Sequence, residues 1–548
     1  MDDYFNLGSY SRAVTTTSAD AQRWFDRGLV WCFGFNHEEA IVCFQKSLEH
    51  DPNCAMAHWG IAYAVGPNYN KQWADFDDEE KTSALTQAQS ANTAALKLAA
   101  DATPVERALI EALARRHPDS PAVEDCSPWI DDFANAMRDV YKAHPTDLDV
   151  CCLFAEALMN RTPWQLWDLP TGKPAQGADT LEATAAMETA FRDDDAAHRH
   201  PGLLHMYVHL MEMSPHPEKA LKAGDTLKDL VPDAGHLVHM ATHIDVLCGH
   251  YENVVSRNHA AVLVDRKYLD HAGPMNFYTL YRSHNLHFKI YGAMFLGQPK
   301  PALAAAEELM ETTSREVLEA GMADWLEAFV PMKQHVLIRF GMWDDILAQD
   351  LPDDPELYSF TTAMTRYARA VALAATGRVA EAEAERDAFI AARAAVPETR
   401  MLFNNTCVDI LGIAQEMVDG EFEYRRGNHE AAYAHLRRSV ELDDTMPYDE
   451  PWGWMQPTRH ALGALLLEQG RSEEAEAVYR ADLGLDGVLS RACQHPDNVW
   501  SLHGLHECLK RRGETIEAVV IKQRLDLAMA RADVPIKASC YCRMGAAA

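Results

Sequence analysis

The chain has 548 residues, with 50 Lys and Arg against 82 Asp and Glu, a formal net charge of −32. An average surface of that sign repels nucleic acid and anionic membrane, and no run of 18 apolar residues offers a membrane span. The start, MDDYFNLGSYSRAV, lacks a basic segment followed by an apolar run, so no secretory signal is read there. Twelve cysteines lie scattered without a C-x-x-C pair, which favours reduced thiols and a cytoplasmic location. No G-x-S-x-G elbow, Walker A loop or Rossmann glycine fingerprint occurs. Serine hydrolases, P-loop enzymes and nicotinamide dehydrogenases are therefore not leading readings.

Apolar positions three and four apart run through Ala- and Glu-rich segments, and alternating strand patterns are nearly absent, so the chain reads as all-α. From Trp24 it runs WFDRGLVWCFGFNHEEAIVCFQKSLEHDP. Taking Trp24 as position 4 of a repeat puts Gly28 at 8, Trp31 at 11, Ala40 at 20, Phe44 at 24 and Pro52 at 32. Small residues at 8 and 20 let two helices approach, large ones at 4, 11 and 24 fill the gap, and the proline ends the second helix. The turn pattern Gly-x-x-x-x-Ala/Val returns at Gly249–Val254, Gly297–Ala302, Gly377–Ala382, Gly427–Ala432, Gly470–Ala475 and Gly513–Ala518. These are landmarks of the tetratricopeptide repeat (TPR), and the chain resembles that superfamily over roughly residues 21–530. The resemblance implies an α-solenoid, a superhelix of helical hairpins with a partly closed central groove. The expected organisation is an N-terminal arm (1–20), the solenoid (21–535) and an extended tail (536–548).

His205 and His209 return one TPR period later as His239 and His243. Residues four apart share a helix face, and equivalent positions of neighbouring repeats stack, so four imidazoles are expected to form a square on one wall. In the TPR family, positions 2, 5, 9 and 12 of each repeat line the concave groove. With Ala220 at position 20, His205, His209 and Glu212 fall at 5, 9 and 12. With Val254 at 20, His236, His239 and His243 fall at 2, 5 and 9. His284 and His287 take 2 and 5 of the next repeat, and Trp59 and Tyr63 take 5 and 9 of the second. His460 and His503 take 5 in the last two repeats, with Trp500 at 2.

Imidazole nitrogens bind zinc at about 2.0–2.1 Å, and neighbouring helices about 8–10 Å apart let side chains from two of them reach one ion. The expected ligands are His205, His209, His239 and His243, with His284 and His287 as outer or additional ligands. Glu212 and His236 are the expected catalytic groups, Glu212 orienting a ligand or moving a proton. Trp59, Tyr63, His460, Trp500 and His503 are the expected contacts to a small, apolar or aromatic substrate. Zinc, iron, copper and manganese all suit the donor set, so hydrolytic, lyase and oxidative chemistry stay open. A metal-free polar pocket is one alternative. The others are plain packing of the rings, a metal-handling or sensing protein without catalysis, and a non-catalytic TPR scaffold with a peptide or protein partner in its groove.

Four connections exceed the repeat: 66–81, 162–179, 267–284 and 443–457. Long loops of this kind serve as lids or binding loops, and Trp164, Trp167, Trp452 and Trp454 are expected to fold inward. The Cys540/Cys542 tail is expected to pack on the last repeat. The middle block, PGLLHMYVHLMEMSPHPEKAL onward, resembles one in large bacterial TPR proteins that share an H-M-x-S/T-H-I core. Here that core is His239-Met240-Ala241-Thr242-His243-Ile244. This second resemblance implies fold and motif placement and no activity.

Overall fold

Phe44 shows why consecutive helices pair. A Cβ at Gly28 would stand 2.6 Å from its ring, and one at Gly60 would stand 2.7 Å from it. The helices Ala19–Phe33, His37–His50 and Ala55–Ala64 therefore close on one aromatic side chain. The same small-against-large packing recurs where a Cβ at Gly420 would stand 2.7 Å from Leu436 and one at Gly463 would stand 2.5 Å from Tyr479. The computed structural model describes residues 4–544. Throughout them it is all-α, built of helical hairpins of the TPR type. Strand is confined to two-residue hairpins pairing Trp167–Asp168 with Lys173–Pro174 and Met401–Leu402 with Asn405–Thr406. No described helix is long and apolar enough to cross a membrane.

Helix starts follow local chemistry. Ser18 accepts from Ala21 N, and Thr103 and Glu106 form a capping box with Pro104 in the first turn. One expectation changes at 267–284, read as a loop. The chain stays helical over Tyr251–Ala272 and Tyr278–Leu296, leaving only five residues between. Gly273, at φ 73°, ends the first helix, and Pro274 cannot continue it.

Two compact units divide the chain. One runs up to Ile244 and takes in Leu263–Lys267 and Asn276–Tyr278; the other comprises Asp245–Val262, Tyr268–Met275 and the chain from Thr279 onward. In the first unit the N-terminal arm is pinned by buried charge. Arg12 bonds Asp147 and Asp149 at 2.8 and 2.6 Å, and His200 Nε2 meets Asp149 at 3.1 Å. In the second unit the tail folds onto the hairpins. Ser539 Oγ donates to the His460 carbonyl at 2.8 Å, and Tyr479 OH lies 2.6 Å from Ser539 Oγ. Cys540 and Cys542 are joined as a disulfide, where reduced thiols were expected.

Each unit also buries a histidine as a neutral core residue. Burial pushes His117 in the first and His335 in the second down to about 3. The unfolded chain protonates such groups near pH 6.5 and the folded chain does not, so stability is complete above that pH and falls toward pH 3. Between pH 7.5 and pH 5 each unit is expected to lose about 2 kcal/mol through this one residue. Urea unfolding at the two pH values checks it, and the same loss in His117→Gln and His335→Gln variants would disprove the assignment.

Candidate metal centre

The Pro201–Glu212 helix carries His205, His209 and Glu212, and the short Gly235–His239 helix carries His236 and His239. Met240, still right-handed at φ −51°, links it to Ala241–Leu247, which brings His243. All six side chains are at most 1 % exposed. The rings close a pentagon rather than the expected square. Centroid separations are 4.8 Å for His205–His209, 5.6 Å for His209–His243, 4.7 Å for His243–His239, 5.8 Å for His239–His236 and 5.0 Å for His236–His205. His236 takes the fifth corner because it stands nearly one turn before His239 on the same short helix.

Hydrogen bonds set the tautomers. His205 Nδ1 donates to the Phe33 carbonyl at 2.5 Å. Glu212 accepts twice, from His209 Nδ1 at 3.0 Å and from His243 Nδ1 at 2.8 Å. A proton held at Nδ1 leaves Nε2 as a lone pair. His205 Nε2 and His209 Nε2 have no hydrogen-bond partner in the protein. His243 Nε2 meets His239 Nε2 at 2.7 Å, and Thr242 Oγ1 lies 3.2 Å from His239 Nδ1. Burial lowers His205 to about 3 and His209 well below the usual histidine value, so both rings are neutral. Single donor atoms of His205, His209 and His236 all lie within 4.8 Å of one another, as do those of His209, Glu212 and His243. Tyr278, in the same unit, accepts from His236 N at 3.0 Å and donates to Asp265 at 3.2 Å, fixing the start of that helix.

Aromatic rings seal the pentagon, and the sequence reading missed most of them. Phe35 lies 4.5 Å from His205 and 5.8 Å from both His209 and His236. Tyr69 and Trp164, from the 66–81 and 162–179 insertions, lie 5.0 and 5.7 Å from His209. Phe35 and Trp164 hold left-handed backbone, φ 56° and 59°, which costs a non-glycine residue about 1–2 kcal/mol. The repeat pattern did contain a signal for Phe35. It stands five residues before Ala40, where the six turns named above carry glycine.

The other sequence candidates divide between the two units. Trp59 and Tyr63 belong to the first unit, stacked at 5.2 Å; the Tyr63 hydroxyl donates to Glu156, and the Arg116 guanidinium lies 4.4 Å from its ring. His284, His287, His460, Trp500 and His503 belong to the second unit. His284 packs edge-on to Phe288 and Phe403, both at 5.0 Å. His287 lies 5.3 Å from Phe329 and is lowered to about 3 by burial. His460 donates to Asp482 at 3.0 Å and accepts from Arg339 at 2.8 Å. Trp500 donates to the Met294 carbonyl at 2.8 Å, and Arg339 stacks 3.8 Å above its ring. His503 is partly buried, and burial lowers its pKa. Trp452 and Trp454 are buried as expected, while Trp164 and Trp167 are half-buried.

Fold and site together define an all-α, TPR-like protein with a buried ring of histidines braced by one carboxylate. No protein-family model and no curated protein matches the chain. Among solved structures it is similar to the human IFIT1 dimer with m7Gppp-AAAA, at 11 % identity and TM-score 0.32, over 94 % of this chain and 91 % of that one. It is also similar to Naa15/Naa10 bound to HypK-THB, at 13 % identity and TM-score 0.22, over 93 % of this chain and 70 % of that one. Likeness at these scores assigns no function here.

Proposed function

We propose that the pentagon holds a transition-metal ion and that the protein is a metal-dependent enzyme acting on a small molecule. One observation carries this reading. The Nδ1 protons of His205, His209 and His243 are committed to a carbonyl and a shared carboxylate, the outer arrangement that metal-bound histidines require. It leaves two fully buried Nε2 lone pairs unpartnered, whereas buried polar groups otherwise find partners. The expected ligands are His205, His209 and His236, with His243 and His239 completing the set.

A bound ion would supply Lewis-acid or redox chemistry. The chain's own residues do the rest. Glu212 holds protons at Nδ1 of His209 and His243, so in this reading it orients ligands. Thr242 sits against Nδ1 of His239. Phe35, Tyr69 and Trp164 keep bulk water from the rings, which strengthens every charge interaction inside.

Elemental analysis of the purified protein tests the proposal, beside a His205→Ala/His209→Ala variant. About one transition metal per chain is expected in the wild type, with most of it lost in the variant while helicity by circular dichroism persists. A wild type that stays metal-free after reconstitution with zinc, cobalt, copper, iron and manganese salts would refute it.

A further inference from the structure

A cavity of about 450 Å³ opens beside the pentagon within the first unit. Its wall includes Phe35, the ring that covers His205, His209 and His236, and Tyr278, which fixes the backbone of His236. Four carboxylates stand in the same wall. Glu38, Asp77, Glu79 and Glu80 face one ammonium, that of Lys71, which pairs with Glu80 and lies 4.6 Å from the Phe277 ring. Four carboxylates against one cation focus a negative potential in a concave space. Burial pushes His37, also in the wall, down to about 3, so it adds no positive charge.

Phe35 is an exception among its own repeats. The equivalent turn residues Gly249, Gly297, Gly377, Gly427, Gly470 and Gly513 all take positive φ, the conformation glycine adopts without strain. The first repeat keeps that conformation with phenylalanine, so the turn alone does not account for the ring. Its position does: it lines the acidic cavity and its ring lies against both histidines that carry an unpartnered Nε2.

We infer that the cavity is the cation vestibule of the histidine centre and that Phe35 is its gate. The route admits a divalent metal ion from solvent to the ring. The inference rests on the metal reading above and adds how the ion arrives. Stopped-flow mixing of metal-free protein with Co²⁺, followed by the visible absorption of the bound ion, tests both and separates them. Phe35→Ala and Phe35→Leu are expected to reach the wild-type stoichiometry, with Phe35→Ala about tenfold faster and Phe35→Leu in between. Glu38→Gln/Glu79→Gln is expected to slow uptake about tenfold and to flatten its dependence on ionic strength. This double variant leaves the gate and ring intact, so it remains informative if Phe35→Ala folds poorly. Wild-type rates in both Phe35 variants would overturn the gate, and an unchanged salt dependence in the acidic variant would overturn the vestibule. A wild type that binds no Co²⁺ would remove the metal reading itself, and the route with it.

Discussion

Replacing Glu212 by glutamine is expected to weaken metal binding about 10- to 100-fold while leaving the helices in place, because the outer partners of a metal-bound histidine contribute on that scale. The carboxylate accepts from two imidazoles, through Oε1 and Oε2. Glutamine keeps one acceptor and presents an amide donor in place of the other. The imidazole facing that donor must turn its lone pair toward it, which moves its proton to Nε2 and takes that nitrogen out of the ligand set. Alanine goes further. It leaves two buried N–H groups without partners, at about 1–3 kcal/mol each, so it should lower stability as well as affinity. Metal titration of both variants, with urea unfolding alongside, distinguishes the effects. Equal affinity for wild type and Glu212→Gln would show that the carboxylate does not set the tautomers.

The second large effect is expected from Asp482→Ala, which should destabilise the second unit by about 3–5 kcal/mol, the range for removing one partner of a buried charged network. Asp482 accepts from His460 at 3.0 Å, His495 at 2.8 Å, Asn498 at 2.9 Å and Ser501 at 2.5 Å. Burial alone would raise its pKa, but His460 and His495 hold the carboxyl well below the usual range. Without it, four donors lose their shared acceptor, one from the start of the Arg459–Glu468 helix and three from the chain leading into and beginning the Val499–Arg512 helix. A fall in the urea midpoint with metal content unchanged is the expected pattern. A loss of metal in this variant would contradict the placement of the centre in the first unit.

This network also bears on His460, a residue the groove positions put forward for substrate contact. Its two nitrogens are occupied by Asp482 and Arg339, and burial lowers it to about 4. Periodicity places a residue on a face. It does not say whether a neighbour already occupies that residue's polar atoms. His205 and His460 take the same repeat position, yet one keeps an unpartnered Nε2 and the other keeps none.

The sequence by itself determined the hairpin architecture, because Gly28, Ala40 and Phe44 encode a helix–helix distance that local packing enforces. It also placed His205, His209, Glu212, His236, His239 and His243 in one neighbourhood, since a period of one repeat and a spacing of four residues both act over short stretches of chain. Only the tertiary structure decided the pentagon, the shared role of Glu212 and the aromatic seal. Phe33 reaches His205 across 172 residues and Tyr69 lies against His209 from a separate insertion. Contacts at such separations follow from how hairpins stack, and no repeat period records them.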